Sequence, residues 1–360
     1  MKTIDLTKYG RQNVSFYLAL ERYILNASEW LDEELFFIWD IHPAIVCGKH
    51  QLIEGEVNME YVRKIGVPIY RRHSGGGTIF ADEGCFMFTF IKRSGKRDDV
   101  FRECLSSVVK AFGEIGLETE LSGRNDLLFK GKKFSGNAYY RNENGSILHG
   151  TLLYKTDIEQ LVRTITPDNE KLISKGIESV RQRVINVGDY MTLGREELMR
   201  HLSNAQCKMH NAQLKETRDT RHETRDTRHE TRDTRHETRD DEQFVIYLSE
   251  EDYNNVKSIE PEYLTDEWLW GNNPPYTFKN KQRFAWGGIE VRLDVKNGRI
   301  KSVEFNGDFF THQDLKPLCD AFVDVEFRTE EMREALNRVK VEEYILGATT
   351  EDILSLVETQ

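Results

Sequence analysis

The stretch from Gly123 to Leu153, GRNDLLFKGKKFSGNAYYRNENGSILHGTLL, restricts most strongly what this chain can become. Runs rich in apolar and aromatic residues, DLLF, KFSGNAYY and SILHGTLLY, are separated only by KGK and NENG. Connections that short join antiparallel neighbours, because a parallel return needs a crossover of a dozen or more residues. The stretch therefore predicts an antiparallel meander. Two further strands, in VPIYRRH and CFMFTFI, flank SGGGTIFADEG. Helical spacing appears from Asn13 to Leu25 and from Val100 to Ile115, the latter through Phe101, Leu105, Val108, Val109 and Phe112, with Gly116 as a stop signal. Strand runs interleaved with amphipathic helices define an α+β chain.

One segment cannot join either kind of element in a core. ETRDTRH occurs three times from Glu216 to His236, and a partial copy follows at Glu237 to Asp240. A heptad invites a coiled-coil reading, but no position in it is apolar, so there is no seam to bury. The period also sets Asp219 against Glu223 and Arg218 against His222, which gives no favourable i,i+4 pairs. The expectation is a disordered, solvated insert. His222, His229 and His236 as a metal tract is the competing reading. The insert divides a chain of 360 residues, long enough for two domains. Residues 1–213 form a large domain, 214–243 the insert, 244–258 the end of the large domain with a linker, and 259–360 a small domain. In the last, FAWGGIEVRLDV and IKSVEFNGDFF surround Asn297-Gly298, a strong hairpin signal, and helical patterns follow from Asp314.

A net charge of −11 argues against a general nucleic-acid binder, which needs a basic stripe. The five cysteines, Cys47, Cys85, Cys104, Cys207 and Cys319, are scattered and lack C-x-x-C spacing, so neither a disulfide framework nor a zinc site is indicated. No run approaches the ~18 apolar residues of a membrane span, and MKTIDLTKYG resembles neither a signal nor a transit peptide. A soluble, cytoplasmic protein is expected.

Two segments carry candidate chemistry. In RRHSGGGTIF, three glycines after a strand let backbone N–H groups approach an anion, and Arg71 and Arg72 add charge. It matches neither a Walker A loop nor the dinucleotide fingerprint; a hairpin whose glycines merely permit positive φ is the bland alternative. The second segment is the meander, where Arg124, Asn125, Asp126, Lys133, Ser135, Asn137 and His149 are polar residues set among strands. Alternation sends Lys133, Ser135 and Asn137 to one face and Lys132 to the other, with Lys130 in the turn, provided no bulge intervenes. His149 reads either as a ligand donor or as a satisfied structural histidine. Cys85 reads as a buried apolar cysteine with no basic neighbour to activate it, and AWGG, Ala285 to Gly288, as a packing and bend feature.

At these residues the sequence resembles the lipoate-protein ligase A group of the biotin/lipoate protein ligase family. The matching pieces are RRHSGGGTIFAD, GRNDLL, KKFSGNAYY, HGTLL, KGIESVRQRV and FAWGGIEVRLDVKNGRI. The resemblance implies a class II aminoacyl-tRNA synthetase-like catalytic domain with a mixed β-sheet, plus a small C-terminal α/β accessory domain that changes orientation during the cycle. It implies a two-step reaction in which lipoate and ATP give lipoyl-AMP. The lipoyl group then passes to a lysine on lipoyl domains of 2-oxoacid dehydrogenase E2 subunits or on the glycine-cleavage H protein. Carried over by position, Arg72, Gly75, Gly76, Gly77, Thr78, Ile79 and Phe80 fall where the family holds ATP and the acyl-adenylate. Lys133 falls on the lysine that contacts both lipoate and adenylate, and His149 is a further lipoate-binding candidate.

The chemistry suits these types. A carboxylate attacking an α-phosphate brings two anions together, and a compact ammonium between them relieves repulsion and stabilises the developing charge. ATP chemistry implies Mg²⁺, and Asp126 is the one candidate ligand. Phe134 and Tyr139 are candidate walls for the dithiolane tail. The family commonly continues its glycine loop as Phe-His-Asp, whereas here it reads Phe80-Ala81-Asp82, so any contact of that histidine is missing. Two other functions fit the same residues: a lipoyl or octanoyl transferase that does not make its own adenylate, and a non-catalytic lipoyl-domain binder.

Overall fold

The computed structural model describes residues 1–123, 125–165, 170–222, 244–271 and 276–357. Its strands are β1 (Lys2–Ile4), β2 (Leu35–Trp39), β3 (Ala44–Cys47), β4 (Ile69–Arg71), β5 (Ile79–Ala81), β6 (Cys85–Lys92), β7 (Thr119–Ser122), β8 (Asp126–Phe129), β9 (Lys132–Asn142), β10 (Gly145–Leu153), β11 (Val245–Ile246), β12 (Phe278–Phe284), β13 (Gly287–Lys296) and β14 (Arg299–Gly307). The helices used below are α1 (Val14–Asn26), α2 (Arg97–Glu114), α3 (Arg195–His222), α4 (Glu250–Ile259), α5 (Lys316–Asp320), α6 (Thr329–Val339) and α7 (Thr350–Val357).

The large sheet has eight strands in the order β11-β1-β2-β6-β10-β9-β8-β7. β1 runs parallel to β2 and β11, and the other pairs are antiparallel, so the sheet is mixed. Both its faces are covered. On one, Phe16, Leu20 and Ile24 of α1 meet Phe37, Ile91 and Ile147; on the other, Phe101, Leu105 and Phe112 of α2 and Leu198 of α3 meet Phe88, Phe134 and Leu148. Burial on two faces is why β6, CFMFTFIK, reads as a continuous apolar run rather than an alternating one, and all its residues are buried. The predicted meander is β8-β9-β10. Lys130 and Gly131 both take positive φ, 52° and 71°, the two-residue geometry that lets the β8–β9 hairpin close without splaying. A three-stranded sheet, β4-β3-β5, lies beside the large one and carries the glycine-rich loop.

The small domain is a β12-β13-β14 sheet packed on α5, α6 and α7, with Ile289, Val291, Phe305, Leu318, Leu336 and Ile353 in its core. Asn297 and Gly298, at φ 53° and 74°, make the expected β13–β14 turn. The preceding strand β12 has no sequence signal because FKNKQRF is an edge strand whose charges face water.

Two expectations change. Residues 250–270 do not begin the small domain at 259. Val256 and Tyr263 are buried in the core beneath α1, and Leu269 and Trp270 pack on the cluster around β3, so the division falls between the helix ending at Trp270 and β12. The repeat does not begin outside regular structure either: the backbone of α3 is helical through His222, because a helix already nucleated at Arg195 extends at little cost through polar residues. The rest of the insert, with His229 and His236, lies outside the described residues, as does Arg124.

Candidate active site

The glycine-rich loop joins β4 to β5, which flank β3 on opposite sides. Arg72 is buried and spends its guanidinium on the protein: Nη1 donates to Val46 O at 3.0 Å, Nη2 to Gly75 O at 2.8 Å and Gly77 O at 2.7 Å, and Nε to Ser74 Oγ at 3.0 Å. Burial pulls its pKa down to about 10, so it remains a cation at neutral pH and clamps the loop by its carbonyls. Gly76 has φ 88°, a conformation that disfavours a side chain. Arg71 points elsewhere, to the carbonyls of Gly48, Lys49, Gln51 and Leu269. Thr78 Oγ1 donates to Gln51 Oε1 at 2.7 Å. Ile79 is half-buried against the main core and Phe80 is buried among Ile45 and Cys47.

Ser74 opens a buried chain of hydrogen bonds. Its Oγ lies 2.7 Å from His149 Nε2, His149 Nδ1 lies 2.9 Å from Glu21 Oε1, Thr89 Oγ1 donates to the same oxygen at 2.6 Å, and Trp39 Nε1 donates to Thr89 at 2.8 Å. Arg72 and Trp39 can only donate, which sets the direction. Thr89 passes its proton to Glu21, and a neutral imidazole protonated on Nδ1 completes the chain by donating to Glu21 and accepting from Ser74. His149 is thus fully satisfied, and it also lines a cavity.

That cavity, about 60 Å³, is enclosed between α1 and the β9–β10 face of the sheet. Its inner end is Ser74, His149, Glu21 and His73, and its walls are Leu18, Leu25, Tyr140 and Ile147. His73 sits among the rings of Tyr140, Tyr263 and Trp268, at 5.5, 5.4 and 4.4 Å; burial brings its pKa to about 3. Cys85, by contrast, is fully buried, and burial pushes its thiol up to about 12, which fits the apolar reading and not a nucleophile.

Lys133 does not line this cavity but is turned to the same face of the sheet, and the expected alternation does not hold. The β8–β9 register pairs Leu127 with Ser135 but Leu128 with Lys133, so Phe134 is an extra residue in a β-bulge. The bulge keeps Phe134 in the core under α2, its ring 5.1 Å from that of Phe112, and turns Lys133 to the opposite side. There its amine lies over Gly136, where a Cβ would stand 2.8 Å from Nζ. Gly136 pairs with Thr151 and Ala138 with His149, so Lys133 and His149 share a face, whereas Ser135 and Asn137 turn to the α2 side. Phe134 and Tyr139, both in that core, are not walls of the cavity; Tyr140 is. Ser135 and Asn137 serve the site indirectly. Asn137 N and Nδ2 donate to Asn125 O at 3.0 and 2.8 Å, and Asn125 Nδ2 returns a bond to Asn137 O at 2.6 Å, a clamp that fixes the neighbouring Asp126 2.7 Å from Lys133 Nζ. Lys132 donates to Arg181 O, and Lys130 lies over the Tyr190 ring at 4.1 Å.

The small domain closes on the glycine loop. Gly76 N donates to Phe309 O at 3.3 Å, Gly307 N to His50 O at 2.7 Å, the rings of His50 and Phe309 stack at 5.2 Å, and Lys49 pairs with Asp314. The carbonyl of Phe309 therefore takes a donor that an anion would use. Glu21, Ser74, His73 and the Lys49–His50 strip carried no signal of their own in the sequence. Only Ser74, by its place before the glycines, could have been singled out.

Fold and site together define a two-domain protein in which an apolar-walled cavity and a lysine share one sheet face and a glycine-rich loop meets the small domain. A family model described as the lipoyl protein ligase A/B catalytic domain matches residues 13–206, and one for the bacterial lipoate protein ligase C-terminus matches 273–357. The probable lipoate-protein ligase A of Mycoplasma pneumoniae is 31% identical, covering 99% of this chain and 98% of that one. The lipoate-protein ligase LplJ of Bacillus subtilis is 29% identical over 94% and 95%. Plasmodium falciparum LipL1, solved with lipoate, has the same fold at 19% identity, with a TM-score of 0.72 over 98% of this chain and 96% of that one. The chain belongs to the lipoate-protein ligase family and is a ligase.

Proposed function

We propose that the protein, in the cytoplasm, activates lipoate with ATP and transfers the lipoyl group to a lysine of a lipoyl domain, in a 2-oxoacid dehydrogenase E2 subunit or the glycine-cleavage H protein. The observation that supports this reading is the shared face: the apolar-walled cavity and Lys133 lie on the same side of β9 and β10, and Ser74, at the head of the glycine loop, bonds His149 in the cavity wall. In the first step a lipoate oxygen attacks the α-phosphorus and pyrophosphate leaves. Lys133 lies between the two anions and stabilises the charge that builds on the phosphoryl oxygens. Backbone N–H groups of Gly75, Gly76, Gly77 and Thr78, with the main chain of Ile79 and Phe80, hold the nucleotide, in a loop shaped by Arg72. His149 and Ser74 line the acyl channel.

In the second step the acceptor lysine amine attacks the acyl carbonyl and AMP leaves. Among the described residues no three His, Cys, Asp or Glu converge, which suits Mg²⁺ carried by the phosphates with one carboxylate at most from the protein. Asp126, beside Lys133, is that carboxylate. Also among the described residues, no helix is long and apolar enough to cross a membrane. The transferase alternative would use no ATP. Pyrophosphate release that requires both lipoate and ATP is the expected result, and acyl transfer from an octanoyl carrier without ATP would overturn the proposal.

A further inference from the structure

Gln51 is buried, 2% exposed, in the turn that follows β3. Arg71 holds that turn by its backbone, with Nη1 donating to the carbonyls of Gly48, Lys49 and Gln51 at 2.9, 2.9 and 2.8 Å. The turn also lies against the glycine loop: a Cβ on Gly48 would stand 2.0 Å from Gly76 O, and Thr78 Oγ1 donates to Gln51 Oε1 at 2.7 Å. Gly48 N donates to the same Oε1 at 3.1 Å. A backbone N–H can only donate, so the atom it meets must be the carbonyl oxygen, which fixes the orientation of the carboxamide. The other end, Nε2, is a donor with two protons, and it is buried without a hydrogen-bond partner. Glu56, whose carboxyl burial pushes above its usual range, is the nearby acid, but it does not complete a bond to that nitrogen. A buried donor left without an acceptor is uncommon in a folded protein and points to a missing partner.

Thr78 supplies the complementary half of the argument. Its hydroxyl has one proton, and that proton goes to Gln51 Oε1, so towards a ligand Thr78 Oγ1 can only accept. Ionised phosphate oxygens also only accept, and the two do not pair. The carboxamide that takes the Thr78 proton offers two of its own in return. We infer that Gln51 is a nucleotide-binding residue, its Nε2 donating to a phosphate oxygen of ATP held at the glycine loop. This rests on the proposed nucleotide role of that loop and adds to it a side-chain donor from the neighbouring turn. One end of the carboxamide fixes the loop at Thr78, and the other meets the ligand that the loop holds.

The test is ATP binding to the full chain by equilibrium dialysis, with KM for ATP and for lipoate taken from pyrophosphate release. Gln51→Met removes both ends of the carboxamide and should raise the ATP Kd at least about tenfold, the usual loss for a hydrogen bond to a charged group, with the lipoate KM within about threefold. Gln51→Glu separates binding from support. Its oxygen keeps the bonds from Gly48 and Thr78, and only the donor is lost. Measured at pH 8, so that the new carboxyl is ionised, it should also weaken ATP at least about tenfold. An ATP Kd within about twofold of the parent in the folded Gln51→Glu variant overturns the inference and leaves Gln51 as a support for Thr78 with water on Nε2. Should that variant not fold, an unchanged ATP Kd in Gln51→Met overturns it as well. A parent chain that binds no ATP would instead sink the reading of the loop as a nucleotide site.

Discussion

Lys133 Nζ and Asp126 Oδ1 lie 2.7 Å apart, on neighbouring strands that a bulge at Phe134 brings out of simple alternation. The pair is partly exposed, so its Coulomb energy contributes little to stability. Its value is positional: the carboxylate holds the ammonium over Gly136. Lys133→Ala should lower ATP- and lipoate-dependent pyrophosphate release by about 10² to 10³. Lys130→Ala and Lys132→Ala should leave it within about twofold, because these side chains meet the rings of Phe129 and Tyr190 and the carbonyl of Arg181. Steady-state kinetics on the three variants checks this, and near-normal activity of the first would remove Lys133 from the chemistry.

Gly150 is opposite Asn137, and a Cβ there would overlap Asn137 Oδ1 and approach Phe88 Cζ to 2.7 Å. Neither neighbour can move freely, since Asn137 is clamped to Asn125 and Phe88 is in the core under α2. Gly150→Ala should destabilise the large domain by about 1–3 kcal/mol, the usual range for overpacking. Urea unfolding followed by fluorescence measures it. An unchanged midpoint would mean that the clamp gives way.

The meander, the two long helices and the hairpin at Asn297 were legible because each depends on local chemistry: turn residues with positive φ, and apolar spacing that matches one period. The face of Lys133 was not. Whether β9 carries an extra residue is decided by the ring of Phe134 seeking Phe112 of α2, a partner more than twenty positions away. Residues reached by tertiary folding alone were equally silent. Glu21 is one polar residue inside an apolar helix, and only the arrival of His149 and Thr89 gives it meaning. The small-domain contact through His50 and Phe309 belongs to the same class. Motif residues revealed the chemistry, and the packing determined which neighbours serve it.

His50 and His73 both have pKa values drawn by burial to about 3, and the Nε2 atom of each is buried without a hydrogen-bond partner. In the unfolded chain both would titrate near 6.5. From that pH down towards 3 the unfolded state binds more protons than the folded one, so stability falls as the solution is acidified. Each histidine adds up to about 1.4 kcal/mol per pH unit to that slope. His73→Phe and His50→Phe should each flatten the fall between pH 6 and pH 5 relative to the parent. Unfolding free energies at the two pH values test it, and parallel slopes would mean that these imidazoles are solvated.

At Gly75 the glycine loop and the small domain meet closely: a Cβ at Gly75 would overlap Phe309 O. Phe309 is held by its stack on His50, and its carbonyl also takes the Gly76 N–H. Gly75→Ala therefore cannot keep this contact, and the methyl group should force the hairpin end of the small domain off the loop. Among the described residues the other links, Gly307 to His50, Arg97 over the Phe310 ring and the exposed Lys49–Asp314 pair, are too weak to hold it, since an exposed ion pair contributes at most about 1 kcal/mol. Small-angle scattering should show a larger radius of gyration for the variant than for the parent without ligands. The large-domain circular dichroism should be unchanged. Equal radii would show that the contact between Phe309 and the loop is not what keeps the two domains closed.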